Sequence, residues 1–257
     1  MQIQLIRHAT LQIQYAGRTL LVDPMLGSPG AMAPVPDTPD TRANPLVPLP
    51  VPVETLLEPD AVLLTHMHRD HWDEAAERLL PRHIPIFCQP EDEERLTAQG
   101  FRHVQSVTAP VAWAGIRIVR TGGRHGRGLL GRSLGPVSGY VLEPETAGEE
   151  PTLYAAGDTV WCREVRALLE RFRPDVTVVY AGAAKFRSGG AVTMAGRDIA
   201  ALCKASVNPH MNVIAAHMEA WNHCRLSRRQ LLDFVALHDL QHRVSVPADG
   251  ETLEYRS

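Results

Sequence analysis

An apolar run at 61–65 opens directly into His66, His68, Asp70 and His71, and no other stretch constrains the chain as tightly. Alanine, valine and two leucines closed by threonine read as a buried strand. In extended backbone residues i and i+2 share a side, so His66 and His68 aim their imidazoles at one point. Asp70 and His71 follow where the chain turns and reach a second point nearby. Imidazole nitrogens and carboxylate oxygens are the ligands that Zn²⁺, Mn²⁺ or Fe²⁺ accept at about 2.0–2.2 Å. Four such groups within six residues predict a two-ion site at a strand end.

Around this segment the sequence alternates strand and helix patterns. Strands are expected over 3–6, 11–15 and 19–23, then 84–88, 103–107, 116–120, 137–142, 152–156, 175–181, 213–216, 243–246 and 252–255. Helices are expected from an Asp73 cap to residue 80 and over 91–99, 161–172 and 193–205. A last helix follows the Ser227 to Gln230 capping box. This order suits two mixed sheets with helices outside, in one domain spanning 1–257. The proline-rich stretch 24–52 lacks any period and reads as a long irregular loop, a wall or lid for the site. Asp23, at the end of the third strand, is either a turn-former or a carboxylate that orients a metal-bound histidine.

Two ions need further ligands, and three later residues stand where strand ends bring side chains together. His125 lies in the glycine-rich stretch 121–128, Asp158 follows a buried strand and Gly157, and His217 closes the apolar run 212–216. A carboxylate in the position of Asp158 can bridge two cations with its two oxygens. His223 competes with His217; the strand end favours His217, leaving His223 for substrate contact or as an acid. Arg124, Arg127 and Arg132, with Lys185 and Arg187, cluster by sequence near the mouth and favour an anionic small molecule.

Composition narrows the remaining classes. With 44% hydrophobic and 21% charged residues the chain is of ordinary globular type. A net charge of −3 without runs of like charge argues against a nucleic-acid partner. No segment resembles a leader or a membrane span, so a cytoplasmic location is expected. Cys88, Cys162, Cys203 and Cys224 form no paired motif and read as reduced, with Cys224 nearest the chemistry.

The order His-x-His-x-Asp-His, later His, later Gly-Asp, later His resembles the ligand set of the metallo-β-lactamase superfamily. His8-Ala-Thr10, Leu21-Val-Asp-Pro24 and the segment from His217 to Cys224 resemble its ascorbate-6-phosphate lactonase-like branch. The resemblance implies an α/β fold, a four-layer αββα sandwich of two mixed sheets. It also implies that His66, His68 and His125 hold one ion and that Asp70, His71 and His217 hold the other, with Asp158 between them. Two divalent ions, Zn or Mn ahead of Fe, would then supply a bridging hydroxide that cleaves an ester-type bond, lactone or phosphodiester. Asp70 would accept a hydrogen bond from the nucleophile, and His223 would act as acid or oxyanion donor. The alternatives on this fold are an iron-dependent oxidoreductase of dioxygenase type and a nuclease. A binding protein without catalysis is disfavoured because all seven ligand positions are filled. Substrate identity and any homo-oligomeric state are not written in these motifs.

Overall fold

Within each strand, side chains alternate between two apolar surfaces, and this alternation builds the architecture. The computed structural model describes residues 1–146, 148 and 150–256. One sheet contains, in spatial order, β14 (Thr252–Glu254), β1 (Gln2–Arg7), β2 (Thr10–Tyr15), β3 (Arg18–Val22), β4 (Ala61–Leu63), β5 (Ile86–Cys88) and β6 (Val104–Ser106). The other contains β13 (Val244–Ser245), β12 (Asn212–Ala216), β11 (Val176–Tyr180), β10 (Leu153–Ala155), β9 (Ser138–Pro144), β8 (Ile116–Gly122) and β7 (Val111–Trp113). Both sheets are mixed: β3 to β6 run parallel, as do β10 to β13, and the remaining neighbours are antiparallel.

Ile3, Leu5, Leu20, Val22, Ala61 and Leu63 face a core shared with Tyr140, Leu142, Val176, Val178 and Ile214 of the opposite sheet. Their neighbours Ile6, Leu21 and Val62 point the other way, onto Ala75, Ala76 and Leu96 of α1 (Glu74–Leu79) and α2 (Pro90–Ala98). A short α3 (Gly128–Ser133) lies in the glycine-rich stretch. On the far side, Val141, Val179, Val213 and Ala215 pack against Val165, Leu169, Ile199, Leu202, Leu231 and Val235. Those six belong to α4 (Arg163–Phe172), α5 (Gly196–Ala205) and α6 (Arg228–Leu237). The layers are therefore αββα, with one apolar core between the sheets and one beneath each helical layer.

Local chemistry sets the helix starts. Asp73 caps α1 by accepting from the Ala76 N–H at 2.8 Å, and its other oxygen accepts from the Gly27 N–H at 2.7 Å, tying the proline-rich loop to the helix. Ser227 and Gln230 form the expected capping box on α6. α5 begins three residues later than the pattern suggests: the Thr193 hydroxyl accepts from the Ala184 N–H and the Met194 N–H donates to the Tyr180 carbonyl. These two residues are thus held beside β11 instead of coiling. α4 likewise starts at Arg163, behind an extended Cys162. β7 was not apparent in the sequence; it pairs with β8 across Ala114-Gly115, both left-handed, a turn that matches strand twist. Between 24 and 52 only the single bridge Met32–Asn44 forms. Among the described residues no helix is long and apolar enough to cross a membrane.

Candidate metal centre

The chain delivers its polar side chains where strands end. β1 ends before His8, β3 before Asp23, β4 shortly before His66, β8 before His125, β10 before Asp158 and β12 before His217. His8 (φ 60°), Asp23 (φ 43°) and His217 (φ 61°) adopt left-handed backbone, uncommon for residues with a side chain. At these three strand ends the chain turns sharply and swings the side chain inward. Gly157, at φ +67°, has no such freedom to carry one: a Cβ there would meet the Ser138 carbonyl at 2.2 Å.

Two groups of ligand atoms result, each within 4.8 Å of one another: His66, His68 and His125, and Asp70, His71, Asp158 and His217. Asp158 spans them. Its Oδ2 lies 3.5 Å from the Nε2 atoms of both His71 and His125 and 4.0 Å from that of His66, and its Oδ1 lies 3.3 Å from His217 Nε2. His68 turns its Nδ1 to within 2.9 Å of His66 Nε2. Three atoms in the middle of this arrangement, His71 Nε2, His217 Nε2 and Asp158 Oδ1, are buried and have no hydrogen-bond partner. Buried polar atoms without partners are costly. Several converging on one point, drawn from imidazoles and carboxylates, fit divalent cations.

Three of the imidazoles are oriented from behind. His71 Nδ1 is 2.8 Å from Asp23 Oδ2, which also accepts from the Thr65 and Tyr180 hydroxyls at 2.7 Å, while Asp23 Oδ1 accepts from the Thr65 N–H at 2.8 Å. Asp23 thus serves both readings of the sequence, turning the chain and fixing His71 so that Nε2 faces the cluster. His125 Nδ1 donates to the Val192 carbonyl at 3.1 Å, and His217 Nδ1 lies 3.7 Å from Cys224 Sγ. His8, His217 and Cys224 also gather ligand atoms within 4.8 Å, but His217 already turns Nε2 to Asp158 and meets Cys224 with its other nitrogen.

Electrostatics agree with cation binding. Burial lowers the pKa of His66, His68 and His125, keeping them neutral, the form that ligates metals. Burial opposes charge on Asp158 and Asp70, yet the facing histidines outweigh it and hold both carboxyls well below the usual range. For His71 burial is overcome by Asp158, Asp70 and Asp23, which push its pKa up to about 10. A cation entering there displaces a proton, so affinity rises with pH.

A cavity of ≈ 260 Å³ opens above the cluster, walled by Val35, Met67, Leu134, Phe186, Val192 and Trp221, with Asp70 and His223 in its lining and the exposed Arg69 and Arg95 contributing. His217 lies within a ligand group, whereas His223, its competitor, stands on this wall with Nε2 3.8 Å from Asp70 Oδ2. Val35 makes the proline-rich stretch a wall of the cavity. Asn222 clamps that stretch in place: its side chain accepts from the Val35 N–H and Asn44 amide, and donates to the Val35 and Asp40 carbonyls and the Thr38 hydroxyl.

The basic residues expected at the mouth lie elsewhere. Arg124 pairs with Glu164 at 2.8 Å and Arg127 with Asp198 at 3.5 Å, and both line, with Arg132, a neighbouring cavity of ≈ 730 Å³ that shares His125 with the first. Lys185 and Arg187 are exposed, and Phe186 between them takes the wall position. His8, Asn222 and Phe186 take no part in the roles expected from the sequence. His8 carries a signal, a histidine directly after an apolar strand, and Asn222 lies within the segment from His217 to Cys224.

Two mixed sheets packed face to face, helices outside and a buried His/Asp cluster at the strand ends define the class, a metal-dependent hydrolase of metallo-β-lactamase-like fold. Residues 18–232 match the model of the beta-lactamase superfamily domain, and the chain belongs to that superfamily. It is 38% identical over 259 residues to the UPF0173 protein YddR of Bacillus subtilis strain 168, covering 99% of this chain and all of that one. Among solved structures it is similar to an isothiocyanate hydrolase from Delia radicum gut bacteria, 38% identical with a TM-score of 0.93 over the whole of both chains. It is also similar to a possible metal-dependent hydrolase from Veillonella parvula, 33% identical with a TM-score of 0.92 and 98% of each chain covered.

Proposed function

We propose that the chain hydrolyses a small electrophile with an apolar body, an organic isothiocyanate being the best fit. The observation that carries this reading is the apolar wall of Val35, Leu134, Phe186, Val192 and Trp221 directly above the ligand cluster. A pocket of this lining favours an uncharged apolar body with its reactive carbon aimed at the polar floor. The likeness to the Delia radicum gut isothiocyanate hydrolase supports the same substrate class.

His66, His68 and His125 would hold one divalent ion and Asp70, His71 and His217 a second, with Asp158 shared. Ions held there supply Lewis acidity and lower the pKa of water toward neutrality. The chain's own residues do the rest. Asp70 accepts a hydrogen bond from the attacking water, and the apolar wall holds the substrate and excludes bulk water. Water oxygen bonds to the central carbon of the R–N=C=S group, and the N–C bond breaks. The nitrogen takes both protons and leaves as the amine, and carbonyl sulfide departs. His223 Nε2, on the wall and 3.8 Å from Asp70 Oδ2, is placed to hand on one of those protons.

A second reading, an ester or phosphodiester carrying an anionic group, is favoured by Arg69 and Arg95 at the same cavity. The two readings separate in one assay. The metal-loaded protein is given phenethyl isothiocyanate, a six-membered lactone and bis(p-nitrophenyl) phosphate in parallel. The expected result is amine release with kcat/KM at least about tenfold above either ester, abolished by a chelator and restored by added metal. Turnover of an ester with the isothiocyanate untouched would overturn the first reading.

A further inference from the structure

One buried polar side chain outside the ligand groups is aimed at them. His8 is fully buried and its Nε2 lies 3.2 Å from Asp70 Oδ2. Its ring lies between two others, with centroids 3.7 Å from His217 and 6.0 Å from Trp221. Its carbonyl accepts the His217 N–H at 2.7 Å. His8 therefore touches two members of one ligand group, one through its side chain and the other through its backbone.

We infer that His8 is a positioning residue for the second ion, holding the Asp70 carboxylate in its ligating rotamer through an Nε2–H···Oδ2 hydrogen bond; this rests on the metal-site reading above. An ionised carboxylate only accepts, so the proton of the pair sits on Nε2. That choice agrees with the other nitrogen, His8 Nδ1, which is buried with no partner. The bond occupies one lone pair of Oδ2 and turns the carboxylate toward His217 and His71, whose Nε2 atoms lie 3.4 and 3.8 Å from the same oxygen. The left-handed backbone at His8, φ 60°, is the local distortion that brings the ring off the end of β1 and over Asp70. Asp70 is thereby oriented by a histidine, the reverse of the Asp23–His71 pair across the site, where a carboxylate orients an imidazole.

The test compares His8→Phe, which keeps an aromatic ring against His217 and removes the donor, with His8→Gln, whose amide N–H reaches about as far as Nε2. Cobalt(II) is titrated into the chelator-treated wild type and both variants. The visible absorption of the bound ion is followed, with melting temperature, kcat and KM measured alongside. The wild type is expected to take up two equivalents. His8→Phe should weaken one of them about 10- to 100-fold, the usual effect of removing a partner of a metal ligand, and lower kcat similarly with KM within about twofold. His8→Gln should recover most of both. Wild-type affinities for both equivalents in His8→Phe would overturn the inference. So would a His8→Gln variant as defective as His8→Phe at an unchanged melting temperature, which would assign the effect to ring packing. A wild type that takes up no cobalt would instead remove the metal-site reading itself, and this inference with it.

Discussion

Asp158→Ala is expected to cost about 10³-fold or more in kcat, equivalent to about 4 kcal/mol of transition-state stabilisation. Asp158 lies within 4.0 Å of histidines from both ligand groups, reaching His66 and His125 on one side and His71 and His217 on the other. Removing it takes away one of two buried carboxylates facing the proposed ions, strips His66 and His125 of their carboxylate neighbour and leaves Asp70 alone beside His71 and His217. Metal content should fall by at least one equivalent. Asp158→Asn keeps the shape and one acceptor oxygen but not the charge, and should lose at least about 10²-fold with a near-native circular dichroism spectrum. A variant retaining its metal and a rate within tenfold of wild type would show that Asp158 does not join the two groups.

The second large effect belongs to a residue with no ligand role. Asn222→Ala removes five side-chain hydrogen bonds, all but one within 3.0 Å, that fasten residues 35–44 to the segment carrying His217 and His223. Asn222 is 1% exposed, so the groups left behind are largely cut off from water. Each buried group without a partner costs about 1–3 kcal/mol, and partial relaxation brings the expected net loss to about 3 kcal/mol. At about 2–4 °C per kcal/mol for a chain of this size, the melting temperature should drop about 6–12 °C. Turnover should fall as well, because Val35 and His223 are cavity walls held by this clamp. Asn222→Asp should be at least as damaging, since a carboxylate would face the Val35 and Asp40 carbonyls in place of an amide donor. Calorimetry on both variants checks this. A thermally neutral Asn222→Asp would show that the loop is not held by this side chain.

What could be read from the sequence divides along physical lines. His66, His68, Asp70 and His71 lie within six residues, so local geometry alone makes them a cluster. His125, Asp158 and His217 were recognisable because each follows an apolar strand, and strand ends of packed sheets converge. The alternation in β1, β3 and β4 that separates the inter-sheet core from the helix-facing core was equally visible, since its period of two is local. The His8–Asp70 contact was not, because 62 positions separate the two residues. The Asn222 clamp joins positions more than 170 apart, and nothing in the residues around either end marks the pairing. The basic residues illustrate the opposite failure. Arg124 and Lys185 are near the ligands in sequence, but Glu164 draws one away and the placement of Phe186 turns the other outward.

The central claim is that the buried His/Asp cluster holds two divalent ions and that hydrolysis depends on them. Elemental analysis of protein purified without an affinity tag tests it most directly, with chelator-treated and metal-restored samples assayed for hydrolysis beside it. The expected result is about two equivalents of zinc or manganese per chain, loss of turnover on chelation and its return when the same metal is added back. Protein that carries no metal, takes up none when supplied, and turns over its substrate regardless would contradict it.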